Sequence, residues 1–175
     1  MISVRQVTAE DWPSIWPIFH AVVTAGDTYA YPDDLTSDQA RELWTEPAPG
    51  RTVVALADDR IVGTAKMGPN RGGRGAHIAT ASFMVDPSTR GLGTGRTLGR
   101  YVIEWATQHG YRGIQFNAVV ETNSPAVTLW QDLGFRVIGT VPQAFEHPTQ
   151  GYVGLHVMFL DLTTRPEHSP QSSTS

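Results

Sequence analysis

Cysteine is absent from the 175-residue chain. Its absence excludes disulfide bonds, cysteine-based metal sites and a cysteine nucleophile. A long apolar run is also missing from the opening segment, MISVRQVTAEDW, so we expect neither a signal peptide nor a membrane anchor. We therefore predict a cytoplasmic protein that makes no contact with a membrane.

Charge is sparse, since charged residues make up 17% of the chain and the net charge is −4. Proteins that bind nucleic acid usually carry a basic surface, so this balance argues against a nucleic-acid partner. Hydrophobic residues make up 40% of the chain, which is enough for a packed core. The length suits one domain, and we find neither an internal repeat nor a linker.

Hydrophobic periodicity divides the chain into strands and helices in the order β-α-α-β-β-β-α-β-α-β-β, typical of a mixed α/β domain. The first helix should end near Ala25, and Thr36 and Gln39 predict a capping box that opens the second. A hairpin should turn at Asp58–Asp59. We place the domain at residues 1–162 and expect the polar tail, residues 163–175, to be disordered. The remaining predicted elements are a hairpin over 51–68, strands over 77–85, 113–120, 135–141 and 152–162, and helices after Gly95 and after a cap at Ser124.

The segment VDPSTRGLGTGR, residues 85–96, lies between a predicted strand and a predicted helix. Its glycines allow another group to approach the backbone closely, and the first turn of the helix offers free N–H groups to an anion. Arg90 and Arg96 flank the turn and can pair with phosphate. These features favour a pyrophosphate cradle, and a surface turn that binds nothing is the alternative. Spacing excludes a Rossmann fingerprint, which needs glycine where Arg96 stands, and a P-loop, which needs lysine there.

The same segment resembles the signature of the GNAT superfamily of N-acetyltransferases, Gln/Arg-x-x-Gly-x-Gly/Ala between a strand and a helix, with Arg90, Gly93 and Gly95 at its fixed positions. TNSPAVTLWQDLGF, residues 122–135, resembles the second landmark of that superfamily, an asparagine, an alanine and a closing Leu-Gly-Phe. The resemblance implies a mixed sheet, splayed at its centre and flanked by about four helices. It also implies acetyl-CoA as the acetyl donor, without a metal.

The resemblance further implies where acetyl-CoA binds. The gap between the strands that end at Val85 and Val119 should hold it, and a backbone N–H of the first strand, which we place at Met84, should polarise the thioester carbonyl. Asn123 matches the family asparagine near the sulfur, and we assign it a catalytic role. The residues implied as cofactor-binding are Phe83, Met84, Val85, Arg90, Gly91, Leu92, Gly93, Thr94, Gly95, Arg96 and Asn123.

The sequence departs from the family at Trp130, where many relatives carry a tyrosine that protonates the leaving thiolate. An indole N–H cannot act as an acid at physiological pH. Water, Tyr29 or Tyr31 can take that role instead. The candidates for the base that accepts the amine proton are Glu121, His77 and Asp86, each of which also has an ordinary structural explanation.

Asn117 lies in the apolar strand 113–120, where an unbonded amide is costly. Strict alternation places it with Gln115 and Val119 on one face. The amide either bonds to neighbouring backbone or faces the cleft, and we favour the cleft. The stretches AGDTYAYP, QFNAVVETN and FEHPTQGYVGLHVMFLDL resemble a GNAT subgroup that contains fungal acetyltransferases acting on proline analogues. In that resemblance Asn117 holds the acceptor.

We therefore predict direct transfer of an acetyl group to the amine of a small molecule, an amino acid or an imino acid similar to a proline analogue. Asn117, Tyr29 and Tyr31 are the predicted substrate-binding residues, and Asn117 is assigned a catalytic role as well. An N-terminal acetyltransferase of peptides or proteins and a non-catalytic acyl-CoA-binding module are the alternatives. The resemblance also implies a homodimer.

Overall fold

A computed structural model describes residues 1–164 and, within them, forms seven strands and four α-helices in the predicted order. The elements are β1 (Ile2–Gln6), α1 (Trp12–Ala25), α2 (Ser37–Trp44), β2 (Arg51–Ala57), β3 (Arg60–Pro69), β4 (Ile78–Val85), α3 (Thr94–Gln108), β5 (Gly113–Val120), α4 (Ser124–Asp132), β6 (Arg136–His147) and β7 (Gly151–Asp161). The mixed α/β class predicted from the sequence is thereby confirmed.

The strands form one sheet in the order β1-β2-β3-β4-β5-β7-β6. Every neighbouring pair is antiparallel except β4 and β5, which run parallel. The helix α3 connects these two strands, as a parallel connection requires. The only parallel junction among the described strands therefore lies at the centre of the sheet.

Both faces of the sheet are covered by helices. One apolar cluster, which contains Leu98 of α3 and Trp130 of α4, packs against one face. A second cluster, which contains Phe19 of α1 and Trp44 of α2, packs against the other. We refer to these as the α3–α4 face and the α1–α2 face. Side chains that alternate along each central strand therefore reach different compartments.

Local sequence signals set most of the element boundaries. The side chain of Thr36 accepts a hydrogen bond from the Gln39 N–H, so the predicted capping box of α2 is confirmed. Asp58 and Asp59 both have positive φ, as a tight hairpin turn requires. The predicted cap Ser124 is instead the first helical residue of α4, because the side chain of Asn123 accepts from the Ala126 N–H.

The predicted tail begins where the described residues end. The hydroxyl and the N–H of Thr163 bond to the Asp161 carboxylate, so the chain makes a turn directly after β7. Residues 165–175, which carry most of the prediction of disorder, lie outside the described residues.

Candidate active site

A gap opens between β4 and β5. Only two residue pairs join these strands, Ile78 with Gly113 and Ala79 with Ile114. Beyond them β5 stays paired with β7, but a bulge inserts one extra residue between Phe116 and Val119. A bulge bends its strand, and this one lies in the half of β5 that leaves β4. The predicted splay at the centre of the sheet is present.

The bulge also corrects the predicted alternation along β5. Phe116 and Val119 both pack against the cluster on the α3–α4 face. The Gln115 amide donates to the Asn117 side chain at 2.9 Å, so these two residues share the α1–α2 face. Val119 was predicted to lie with Asn117, and that prediction is wrong because the extra residue reverses the alternation.

The backbone of Phe83 faces the gap and bonds to one tyrosine. The Phe83 N–H donates to the Tyr29 hydroxyl at 2.7 Å, and the same hydroxyl donates to the Phe83 carbonyl at 2.6 Å. Burial raises the pKa of Tyr29 above its ordinary value, and the hydrogen bond to Phe83 opposes that shift only in part. The hydroxyl therefore keeps its proton at neutral pH.

Met84 cannot supply the N–H that we assigned to it. Polar backbone groups alternate in direction along a strand, so those of Met84 point away from the gap if those of Phe83 point into it. Met84 pairs with Thr64 of β3, and two residues further the Asp86 N–H donates to the Val62 carbonyl at 2.9 Å. The side chain of Met84 is buried in the α1–α2 cluster. The donor toward the gap is therefore Phe83, which was predicted only as a cofactor contact.

The glycine-rich turn between β4 and α3 is open where an anion would sit. Gly91 and Gly93 have φ of +85° and +76°, and a Cβ on either would meet nothing within 4 Å. Gly93 is the residue that precedes α3, so the first N–H groups of the helix point into this space. Leu92 is exposed beside it. The turn therefore has the conformation and the free donors that a pyrophosphate needs.

The other residues of the turn differ in whether they already contact another part of the protein. The Thr94 hydroxyl is buried and has no partner within the described residues, which fits a donor for a bound phosphate. Gly95 has a packing role in addition to the predicted one, because a Cβ there would lie 3.2 Å from Leu129 of α4. Its missing side chain serves helix packing. The guanidinium of Arg96 donates to Asp132 at 2.8 Å and is directed to α4, whereas Arg90 makes no such ion pair with any residue of 1–164.

Asn117 belongs to a small network of amides on the α1–α2 face. Its amide nitrogen donates to the Asn70 side chain at 2.7 Å, and its oxygen accepts from Gln115. Neither a backbone bond nor burial explains this residue, since Asn117 is exposed. Sequence reasoning missed Asn70, which follows β3 and lies 47 residues away, because no local signal connects the two positions.

A stacked pair of tyrosines lies on the same face of the sheet. Tyr29 and Tyr31 stack with their ring centroids 5.4 Å apart, and both pack against the α1–α2 cluster. Trp130, by contrast, is buried on the α3–α4 face, 4.6 Å from the Phe83 ring between centroids. The family's usual acid position is thus filled by a packed ring. Tyr29 carries the hydroxyl that reaches the gap.

The three candidate bases each have a structural partner or a distant location. Asp86 accepts from Ser88, and although burial opposes the change, these bonds and the Arg60 charge lower its pKa, which weakens it as a base. The Glu121 carboxylate accepts from the Gly154 N–H at 2.6 Å. His77 is exposed at the closed end of β4. Among the described hydrogen bonds and ion pairs, none joins any of the three to Asn70, Gln115 or Asn117.

Asn123 remains a credible contact for the donor. Its side-chain oxygen caps α4, and its amide nitrogen has no bond within the described residues. It lies three residues after the end of β5, on the side where β5 has left β4. No helix within residues 1–164 is long and apolar enough to cross a membrane. No group of three or more His, Cys, Asp or Glu side chains in the same part of the chain is placed to hold a metal ion.

The profile of the Acetyltransferase (GNAT) family matches residues 6–135. The chain belongs to the GNAT acetyltransferase family. A GCN5-related N-acetyltransferase from Kribbella flavida is 58% identical, with a TM-score of 0.89 over 92% of this chain and 98% of that one. This GNAT protein is therefore an acetyl-CoA-dependent N-acetyltransferase.

Two further relatives are less similar. N-acetyltransferase aca1 of Schizosaccharomyces pombe is 27% identical over 151 residues, which cover 77% of this chain and 72% of that protein. A ribosomal-protein-alanine N-acetyltransferase from Brucella melitensis is 26% identical, with a TM-score of 0.78 over 91% of this chain and 99% of that one. The name of the Schizosaccharomyces enzyme specifies no acceptor, and that of the Brucella enzyme specifies a ribosomal protein. The acceptor of this GNAT protein has to be inferred from its own site.

Proposed function

We propose that this GNAT enzyme acetylates the amine of a small amino acid or cyclic imino acid. The observation that carries the proposal is the neutral network of Asn70, Gln115 and Asn117 on the face where Tyr29 reaches the Phe83 backbone. Amides can bond to both the amine and the carboxylate of such a molecule. The polar side chains of this network are neutral amides, which disfavours an acceptor with several positive charges.

The chain's residues toward the donor fit its chemical parts. When bound, acetyl-CoA supplies an acetyl group activated as a thioester. The first N–H groups of α3 and the Thr94 hydroxyl are placed for the pyrophosphate, with Arg90 beside them. The backbone of Phe83 is placed for the acetyl end, where its N–H stabilises negative charge that develops on the carbonyl oxygen.

Tyr29 has two consequences for the reaction. Its hydroxyl bonds to the Phe83 N–H, so it has to leave that group before a thioester carbonyl can accept there. Because burial keeps it protonated, it can then give its proton to the leaving thiolate. The C–N bond forms as the C–S bond breaks, the thiolate gains that proton, and the new amide's excess proton returns to the tyrosinate. We infer that Tyr29 replaces the acid that Trp130 cannot supply.

The acceptor amine needs only a weak base. An α-amine has a pKa of about 8, so a fraction of it is neutral near pH 7, whereas a lysine-type amine has a pKa of about 10.4. Direct attack in a ternary complex also needs no nucleophile from the protein, in agreement with the lack of cysteine.

A screen of amines for thiol release from acetyl-CoA tests the proposal. L-proline, its ring homologues and the common amino acids should give steady turnover, whereas spermidine and an aminoglycoside should not. A polyamine that outcompetes every amino acid would overturn it.

An N-terminal acetyltransferase of proteins is the second candidate, favoured by the similarity to the Brucella enzyme. A peptide that begins with alanine belongs in the same screen. Turnover of that peptide well above that of free alanine would establish this candidate. The cytoplasmic location, the homodimer and the absence of a nucleic-acid partner stay predictions from the sequence.

A further inference from the structure

Lys66 is the single lysine of the chain, and it lies on β3 beside the proposed acceptor site. Its side chain is only 22% exposed. The neighbouring residues on the strand, Ala65 and Met67, face the apolar cluster on the other side of the sheet. Lys66 therefore points to the α1–α2 face, the face of the Asn117 network and the tyrosine pair.

The register of the sheet places Lys66 beside a polar side chain of β4. Lys66 is directly opposite Ser82. Ser82 also interacts with the Tyr29 hydroxyl. Beyond Ala79 and Ile114, β4 is no longer paired with β5, so the gap lies between Ser82 and the strand that carries Asn117. An ammonium and a hydroxyl thus lie side by side on the β4 side of the gap.

The ammonium of Lys66 makes one hydrogen bond within the described residues and can donate further ones. It donates to the Leu43 carbonyl at 2.7 Å and lies 5.8 Å from the centroid of the Trp44 ring. Glu46 is 3.9 Å away, which is an ion pair but too long for a hydrogen bond. An ammonium has three donors, so at least one is free for another acceptor atom.

Burial and a neighbouring carboxylate act in opposite directions on the pKa of Lys66. Burial lowers its pKa, and the Glu46 carboxylate opposes that shift. The same carboxylate adds to the effect of burial in raising the pKa of Tyr31. Among the described residues named at this site, Lys66 is therefore the one group that can attract an anion. A positive charge held away from water gains most from a partner of opposite sign.

We propose that Lys66 binds the carboxylate of the acceptor and so makes the enzyme selective for free amino or imino acids. The inference rests on the proposed function and narrows it. One carboxylate oxygen accepts from Lys66, with Ser82 next to it, while the amine lies toward Asn117 and the Phe83 N–H. Such a charge-assisted bond discriminates an acid from its amide, and it leaves the acetyl donor untouched.

A plainer role for Lys66 is to hold the end of α2 through the Leu43 carbonyl, as cations near helix C-termini do. If Lys66 has only that role, a Lys66 variant should be less stable and should lose activity toward every acceptor to the same extent. The test therefore has to compare acceptors that differ only in the carboxylate.

The experiment measures kcat/KM of wild type and Lys66→Met for L-proline against L-prolinamide, and for the best amino acid of the screen against its amide. Wild type should prefer the acids. Lys66→Met should lower kcat/KM for the acids by about 10- to 100-fold, mainly through KM, and change that for the amides by less than about threefold. Arg74→Gln, on an exposed residue of the loop before β4, is the matched control and should preserve the preference.

A binding measurement supports the kinetics without turnover. Because no other lysine competes, reductive methylation followed by mass spectrometry reports on Lys66 alone apart from the N-terminus. In the presence of CoA, L-proline should slow methylation of Lys66 and L-prolinamide should not.

The possible failures can be told apart. If no amine gives turnover, the proposed function fails. If acids and amides react equally well with wild type, or if Lys66→Met lowers both to the same extent, the proposed function stands and the role of Lys66 is structural. If the amides are preferred, the acceptor is the N-terminus of a peptide.

Discussion

At the scale of single residues, one hydroxyl occupies both polar backbone groups of Phe83, which face the gap. Tyr29 bonds to the N–H and to the carbonyl of Phe83. The sequence identified Tyr29 as a candidate acid, but only the sheet register shows that Phe83 rather than Met84 is its backbone partner. Which N–H faces the gap depends on how β4 pairs with β3, and a single sequence does not contain that pairing.

Tyr29→Phe should lower kcat by about 100-fold, because the acid is lost. The affinity for acetyl-CoA, measured by calorimetry, should not fall, because the variant also frees the Phe83 N–H. Since burial raises the pKa of Tyr29, wild-type kcat should show no loss from tyrosine deprotonation up to about pH 10. Tyr31→Phe is the control and should keep most of kcat. A Tyr29→Phe enzyme with full kcat would assign the proton to water.

Asn117→Ala should lower kcat/KM for the acceptor by about 10- to 100-fold, since a bond of about 1–3 kcal/mol is lost. Asn70→Ala should give a similar loss, because the two amides bond to each other. The double variant should lose much less than the product of the single effects. Donor affinity, measured by calorimetry, should change little in all three. Multiplicative losses would show that the two asparagines act independently.

At the scale of elements, the position of the glycine-rich turn before α3 was predictable and its packing contacts were not. Spacing of Arg90, Gly93 and Gly95 located it, since a positive φ and a helix start leave a sequence signal. The sequence gives no signal for the packing of Gly95 on Leu129 or the pairing of Arg96 with Asp132, because both contacts depend on where α4 lies.

Gly93→Asp and Gly93→Asn form a matched pair that separates charge from shape at the cradle. Asn is tolerated at positive φ, so Gly93→Asn should weaken acetyl-CoA binding only moderately. Gly93→Asp adds a negative charge beside the first turn of α3 and should weaken binding at least about tenfold further, less so at high salt. Calorimetry at two salt concentrations measures this. Equal affinities for the two variants would place the pyrophosphate elsewhere.

The connection from β1 to α1 depends on one ion pair. The Arg5 guanidinium donates to Asp11 at 2.7 Å and lowers the pKa of that carboxyl from 3.8 to about 2, aided by the Thr8 N–H. A lowered carboxyl pKa stabilises the fold above pH 4, and the gain disappears as the pH falls through about 2. Arg5 is partly exposed, so about 1 kcal/mol is expected.

Arg5→Met should therefore be less stable than wild type at pH 7 and equally stable near pH 2, by urea denaturation. Arg41→Met, an exposed arginine without an ion pair among the described residues, is the control and should show no such pH dependence. A difference that persists at pH 2 would mean that Arg5 contributes by packing.

At the scale of the whole molecule, the element order and the mixed class followed from periodicity, because amphipathic helices and apolar strands keep their pattern through folding. The proposed acceptor site did not. Its residues would come from a loop (Tyr29), from β3 (Lys66), from β4 (Ser82) and from β5 (Asn117), so it depends on the order of strands in the sheet. A site built across a sheet is spread over distant positions in the sequence.

The backbone N–H groups of β4 alternate between pairing with β3 and facing the gap, so hydrogen exchange along this strand should report on the opening of the site. The backbone N–H groups of Met84 and Asp86 point to β3, whereas those of Phe83 and Val85 point into the gap. The Phe83 N–H donates to the hydroxyl of Tyr29, which lies on a loop. In hydrogen exchange, successive amides of one strand should thus alternate between slow and fast, and the Phe83 amide should exchange at the rate at which that loop opens. CoA should slow both gap-facing amides, and Tyr29→Phe should speed up Phe83 alone. Uniform exchange along β4 would mean that the strand opens as one unit.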